Sequence, residues 1–128
     1  FNLLQREGVD CDRWNTRHPE AEARIPYVTA ALAATQGPII AATDYVRAIP
    51  EQIRAYLPGK RYVTLGTDGF GRSDTREALR RFFEVDRWNI VITTLKALAD
   101  EGVVPMDKVS EAIGKYALDI DKPNPMSV

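Results

Sequence analysis

The hydrophobic positions of the chain form two kinds of pattern, short continuous runs and helical spacing, and these patterns predict an alternation of strands and helices. Two short apolar runs, at residues 38–42 and 61–65, are rich in β-branched or aromatic residues, as buried strands are. Apolar residues at helical spacing predict four helices, at residues 50–57, 74–83, 86–101 and 107–117. The two strands are separated by a helix, so they should lie parallel in a right-handed βαβ unit of an α/β fold.

The composition and the periodicity of residues 86–101 favour different structures. The first half of this stretch has the composition of a strand, whereas its apolar residues recur every three or four positions. The stretch is too long for a strand, and Gly102 follows it as a helix stop, so we predict a helix. We expect the buried face of this helix to include Trp88, Ile92 and Leu95.

Shorter elements are predicted before the first strand. A helical turn at residues 1–7 should end at Gly8, and a second turn at 11–17 should face Trp14 inward. A further helix should begin at Pro26 and stop before the strand. Helical spacing within it appears at Tyr27, Ala30, Ala31 and Ala34.

A glycine-rich loop separates the second strand from the next helix. The loop consists of Gly66, Thr67, Asp68, Gly69, Phe70, Gly71 and Arg72, followed by Ser73 and Asp74. Three glycines in six positions require positive φ angles or very close backbone packing. Asp74 and Glu77 fit a capping box at the start of the helix, with Ser73 as the competing cap. We therefore predict a structural or interface loop at residues 66–72. Separately, Asp107 is the expected cap of the last helix.

Anion binding is the alternative interpretation of this loop, because backbone amides at a helix N-terminus attract anions. The spacing matches neither the dinucleotide-binding fingerprint nor a P-loop. Asp68 and Asp74 would repel a phosphate, although Arg72, Arg76 and Arg80 reduce that repulsion. A structural turn is favoured.

Other candidate chemistry is sparse, and no set of residues predicts catalysis. Cys11 and His18 lack the third group of a nucleophilic site, and no His/Cys cluster indicates a metal site. We expect His18 to be hydrogen-bonded or exposed. Asp44 follows the first strand, where α/β sheets place binding residues, but capping of the next turn explains it as simply.

The composition limits the class of protein. A length of 128 residues suits one domain, and a net charge of −1 gives no general attraction to nucleic acid or acidic membranes. No apolar run reaches membrane-spanning length. The single cysteine excludes an internal disulfide, and we expect the cytoplasm as the location.

The loop closely resembles a segment in the C-terminal domain of the homodimeric bacterial pyruvate dehydrogenases. Six further segments carry the same resemblance. They are Asp10-Cys11-Asp12-Arg13-Trp14-Asn15, Pro26-Tyr27-Val28, Ala42-Thr43-Asp44-Tyr45, Arg76-Glu77, Phe83-Glu84-Val85-Asp86 and Asp121-Lys122-Pro123-Asn124-Pro125. The resemblance therefore runs nearly from end to end.

This resemblance implies a transketolase C-terminal-like domain of an oxidoreductase. Such an enzyme decarboxylates pyruvate on thiamine diphosphate with Mg²⁺ and reductively acetylates the lipoyl group of a dihydrolipoyl acyltransferase component. Its cofactor is bound by the two preceding domains, so no catalytic, cofactor-binding or metal residue is transferred to this chain. Thr67-Asp68-Gly69 also lacks the first glycine of the thiamine diphosphate motif. The implied partners are the remaining domains of the same chain, a homodimer partner and the acyltransferase component.

The domain organisation follows from the resemblance and from the small number of strands. We expect residues 1–128 to form one C-terminal domain that begins partway through, without its first strands, because two strands make a poor sheet. Its expected role is non-catalytic, in the architecture of the dimer and of the active-site channel. The alternative is a stand-alone interaction or anion-sensing module that uses the loop at residues 66–72.

Overall fold

The structure is a computed structural model that describes residues 1–69 and 74–127. Its helices are α1 (Asn2–Arg17), α2 (Tyr27–Ala33), α3 (Ala48–Glu51), α4 (Arg76–Phe82), α5 (Arg87–Asp100) and α6 (Met106–Lys115). Its strands are β1 (Ile39–Ala42) and β2 (Tyr62–Leu65). Two 3₁₀ turns, Arg54–Tyr56 and Pro125–Ser127, complete the elements of the described residues.

The two strands pair in parallel, as the sequence predicts. Ile39 lies opposite Tyr62 and Ala42 opposite Leu65. The Ile39 amide donates to the Arg61 carbonyl at 2.8 Å, so the pairing begins one residue before β2. A mixed fold with a small parallel sheet and helices confirms the predicted α/β class.

The two faces of the sheet pack into separate hydrophobic clusters. On one face, Tyr62 joins Val28, Ile53 and Leu57, with Ile39 packed against them. On the other face, a second cluster consists of Leu65, Phe83 and Val85, with Ile40 and Ile90 packed against it. Successive strand residues point to opposite faces, so each strand contributes to both clusters. Helices therefore cover the sheet on both sides.

Helix α1 corrects the prediction of two separate turns. Gly8 is buried inside one continuous helix, and a Cβ built on it would lie 2.6 Å from the Tyr56 ring. This glycine therefore makes room for an aromatic ring instead of ending the helix. The prediction that Trp14 faces the core is also wrong. Its indole is half-buried, stacked on the His18 ring at 4.1 Å and beneath the Arg24 guanidinium at 4.0 Å.

Several predicted boundaries and caps differ from the structure. The single helix expected at 50–57 is a short α3 followed by a 3₁₀ turn. Helix α4 is capped by Thr75, whose hydroxyl accepts from the Ala78 amide at 3.2 Å, so the predicted cap at Asp74 is wrong. Asp107 lies in the first turn of α6, which Pro105 precedes, and so it is not the cap.

The apolar faces of two helices are also shifted from the predicted ones. In α2 the buried residue is Val28, and Tyr27 is 68% exposed. The predicted helix at 86–101 is confirmed as α5, but Trp88, Ile92 and Leu95 are only half-buried. Its buried residue is Ala97.

Among the described residues, no helix combines the length and the apolar content that crossing a membrane requires.

Candidate functional site at the carboxyl ends of the strands

Two loops meet at the carboxyl ends of the parallel strands. One follows β1 from Thr43 to Arg47, and the other is the described part of the glycine-rich loop after β2. The Thr67 amide donates to the Tyr45 carbonyl at 2.9 Å. The Thr67 hydroxyl donates to the Asp44 carbonyl at 2.8 Å. These bonds extend the contact between the strands into their loops.

Asp68 fixes the same pair of loops from its side chain. Its carboxylate accepts from the backbone amide of Arg47 at 3.1 Å. The Arg47 Nε also lies 3.5 Å from the second carboxylate oxygen, and the Asp68 side chain is only 18% exposed. This aspartate therefore binds a backbone donor within the chain.

Two glycines of the loop, Gly66 and Gly69, are required by close packing. A Cβ on buried Gly66 would lie 2.8 Å from the Arg47 amide nitrogen and 2.9 Å from the Tyr45 carbonyl oxygen. Gly69 has a φ of +123°, and a Cβ there would lie 2.5 Å from the Pro125 carbonyl oxygen. The first glycine holds the two loops together, and the second packs the loop against the C-terminal tail.

The structure thus places four of the seven predicted loop residues: Gly66, Thr67, Asp68 and Gly69. Phe70, Gly71 and Arg72 lie outside the described residues. The Thr67 amide and the Asp68 carboxylate both have partners within the chain, which are the contacts of a structural loop.

Asp44 pairs with an arginine from the neighbouring helix. Arg80 of α4 donates to both carboxylate oxygens, at 3.1 Å from Nε and 2.8 Å from Nη2. This bidentate hydrogen bond from Arg80 lowers the pKa of Asp44, and the charge of Arg76 adds to the effect. The turn after β1 is formed instead by Thr43, whose hydroxyl accepts from the Tyr45 amide. Asp44 therefore does not cap that turn.

A cavity of about 690 Å³ opens beside this ion pair. It lies between the carboxyl end of β1, helix α4 and the start of α5. Its charged lining consists of Asp44, Arg76, Glu77, Arg80, Arg81 and Arg87, together with Asp86. From the sequence, Arg76 and Arg80 could be placed beside the loop but not in a cavity. Their position on one face of a helix that follows a strand was the pattern that could have indicated it.

The remaining candidates do not form a reactive centre in the described part of the chain. The buried Cys11 thiol donates to the Glu7 carboxylate at 3.3 Å, and burial raises the pKa of Cys11. His18 is exposed, with Nδ1 2.8 Å from the Trp14 carbonyl, as predicted. No group of three or more His, Cys, Asp or Glu side chains among residues 1–69 and 74–127 is arranged to hold a metal ion.

Comparison with known proteins assigns most of the chain to one family. Residues 2–86 match the family model described as the transketolase-like TK C-terminal domain. The chain belongs to this family. The matched range contains both strands, both loops and helix α4, so the candidate site lies almost entirely within the shared domain.

Matches to named proteins extend over nearly all of this chain, so the similarity includes helices α5 and α6. The chain is 60% identical over 128 residues to the pyruvate dehydrogenase E1 component of Cupriavidus necator. It is 50% identical over 126 residues to the protein of the same name in Pseudomonas aeruginosa. It is 46% identical over 125 residues to the one in Escherichia coli K12. The chain covers 14% of the length of each of these relatives.

Proposed function

We propose that this chain serves as the non-catalytic C-terminal domain of a pyruvate dehydrogenase. The observation that carries the proposal is the 60% identity, over every residue of the chain, to a relative named pyruvate dehydrogenase E1 component. The whole protein would decarboxylate pyruvate and reductively acetylate the lipoyl group of a dihydrolipoyl acyltransferase component. The whole protein would then be an oxidoreductase of the pyruvate dehydrogenase complex, which consumes the pyruvate that glycolysis forms.

The proposed role of this domain is architectural, in the homodimer and at the mouth of the active-site channel. The glycine-rich loop supports this role, because its described residues bind other parts of the chain. Exposed apolar side chains flank it: Tyr45 is 72% exposed, Val46 47% and Met126 50%. Such a surface suits contact with other domains of a longer polypeptide or with a second subunit.

Thiamine diphosphate and Mg²⁺ are the cofactors of the proposed enzyme. The described residues do not fit them, since they offer no metal-ligating group and the thiamine diphosphate motif lacks its first glycine at Thr67. We therefore assign no step of the reaction to this domain. The proposed location of the enzyme is the cytoplasm.

The alternative of a stand-alone interaction or anion-sensing module is not supported by the comparisons. The matched relatives contain the whole chain within proteins about seven times its length. The loop residues that the alternative requires make structural contacts in their described part.

The size of the native polypeptide tests the proposal. A chain of 14.3 kDa that spans 14% of its relatives implies a parent of about 100 kDa. Mass spectrometry of the native protein that carries this sequence should give that mass. A native polypeptide of 14.3 kDa would overturn the proposal.

Calorimetry tests the non-catalytic assignment separately. Thiamine diphosphate titrated into the 128-residue chain should give no binding heat that requires Mg²⁺. Saturable binding that requires Mg²⁺ and that inorganic pyrophosphate does not displace would overturn the assignment of the cofactor site to other domains.

A further inference from the structure

We propose that the cavity between β1, α4 and α5 is a binding site for a small polyanion that carries at least two carboxylate or phosphate groups. This site is separate from the glycine-rich loop, and the inference does not depend on the proposed enzyme activity. It stands on the charge, the partners and the position of the side chains that line the cavity.

Three of the four lining arginines have no ion pair. Arg76, Arg81 and Arg87 are exposed, and no carboxylate in the described parts of the chain lies within ion-pair distance of them. Guanidinium groups are planar donors that match the geometry of carboxylate and phosphate oxygens. Three unpaired guanidinium groups around one cavity can therefore contact more than one anionic group of the same ligand.

The carboxylates of the lining are mostly engaged within the chain. Asp44 holds Arg80 in the bidentate pair described above. Asp86 caps α5 by accepting from the amide and the side-chain nitrogen of Asn89. Glu77 has no hydrogen bond or ion pair with any described residue, and the bonds from Asn89 leave Asp86 charged, so these two carboxylates oppose an anion. The four lining arginines still outnumber the three lining carboxylates.

The position and size of the cavity favour a small molecule. Ala42 and Thr43, at the carboxyl end of β1, line it, and this edge of a parallel sheet is where α/β folds bind ligands. Its volume of about 690 Å³ lies within the range of small-molecule pockets. Trp88 lies in the wall, with the Arg87 guanidinium 4.3 Å from its ring centroid. A bound anion that draws Arg87 away should therefore change the fluorescence of Trp88.

The experiment uses this fluorescence to locate binding. The chain has two tryptophans, so Trp14→Phe leaves Trp88 as the only one. Citrate and inorganic pyrophosphate are titrated as probes, with sodium chloride at matched ionic strength as the blank. We expect a saturable change with a dissociation constant below about 1 mM for at least one probe. Calorimetry on the unsubstituted chain should give the same constant without a tryptophan substitution.

Charge variants show whether the cavity binds the probe. Arg76→Gln and Arg81→Gln should each weaken binding about tenfold, because each removes a charge-assisted contact. Arg13→Gln, on the exposed face of α1, removes the same charge elsewhere and should leave the constant unchanged. Glu77→Gln removes one opposing charge and should strengthen binding several-fold. Circular dichroism confirms that each variant folds.

Three results would overturn the proposal. One is a change that follows ionic strength and does not saturate. Another is equal weakening by Arg76→Gln and Arg13→Gln, which would show a general charge effect. The third is the absence of saturable binding of either small anion, and binding of a short polyglutamate peptide in that case would indicate a protein-binding surface instead.

Discussion

At the scale of single residues, Glu51 shows how ionisation is coupled to folding. Its carboxylate accepts from Arg54 at 2.6 and 2.8 Å and from the Thr64 hydroxyl at 2.7 Å. The Arg54 hydrogen bonds lower the pKa of Glu51 from 4.5 to about 2, and Thr64 adds to this. The contacts join α3 and the 3₁₀ turn to the middle of β2.

We expect this group to make stability depend on pH. The folded pKa is lower than the unfolded one, so the stabilisation is present above about pH 4.5 and is lost as the pH falls towards 2. Urea unfolding should show Glu51→Gln less stable than the natural chain near neutral pH, with the difference shrinking on acidification. Glu111→Gln, in an exposed pair with Lys108, is the matched control and should change little. A difference that is constant across this pH range would contradict the assignment.

Substitution by alanine should change the stability of the chain in opposite directions at two glycines. Gly66→Ala forces a Cβ against backbone atoms of Arg47 and Tyr45, and overpacking of this kind costs about 1–3 kcal/mol. Gly114→Ala, in α6, meets no atom within 4 Å and should stabilise by up to about 1 kcal/mol through helix propensity. Thermal unfolding of both variants tests the contrast. Equal effects would mean that the loops do not pack as described.

At the scale of elements, the contact of α5 with α6 depends on an aromatic pair. The rings of Trp88 and Tyr116 lie 4.6 Å apart, and Trp88 is half-buried. We therefore expect Trp88→Ala to cost about 1–2 kcal/mol in chemical unfolding, less than the removal of a fully buried indole. Trp88→Phe retains a ring and should lose less. A cost of about 3–5 kcal/mol would indicate a core position.

The elements themselves were largely predictable, because they depend on local periodicity. Both strands and their parallel pairing followed from two apolar runs separated by a helix, and α5 followed from its 3.6-residue period. The burial of Trp88 was not predictable from that period, since it depends on which helix packs against each face. Gly8 was misinterpreted for the same reason: only the tertiary contact with Tyr56 explains a glycine within α1.

The candidate site was predictable in part. The close packing of the glycine-rich loop could be inferred from three glycines in six residues. Its partners could not, because Tyr45 is 21 positions away from Gly66 in the sequence and Pro125 is 56 positions away from Gly69. The pairing of Asp44 with Arg80 likewise needs the helix to pack beside the strand.

At the scale of the whole molecule, β1 has one edge without a partner strand in the described sheet. Ile39 and Thr43 direct their amides to β2, so the alternate residues Ile40 and Ala42 direct theirs away from it. Such an edge can pair with another chain. We expect light scattering to show self-association at micromolar concentration, or a bound peptide that covers the edge.

A lysine on this edge is the corresponding test. Ala42 is exposed, and Ala42→Lys should reduce self-association without loss of the fold, because edge charges oppose strand pairing. A matched lysine on the exposed surface of α1, Val9→Lys, should leave association unchanged. A natural chain that stays monomeric and carries no peptide would contradict the expectation.

The proposed function concerns the whole polypeptide to which this domain would belong. An antibody against the 128-residue chain can capture the native protein, and release of CO₂ from pyruvate, with lipoamide supplied as the acetyl acceptor, can then be measured with and without added thiamine diphosphate and Mg²⁺. We expect CO₂ release that requires both cofactors. A captured, folded protein that releases no CO₂ from pyruvate with both cofactors present would contradict this expectation.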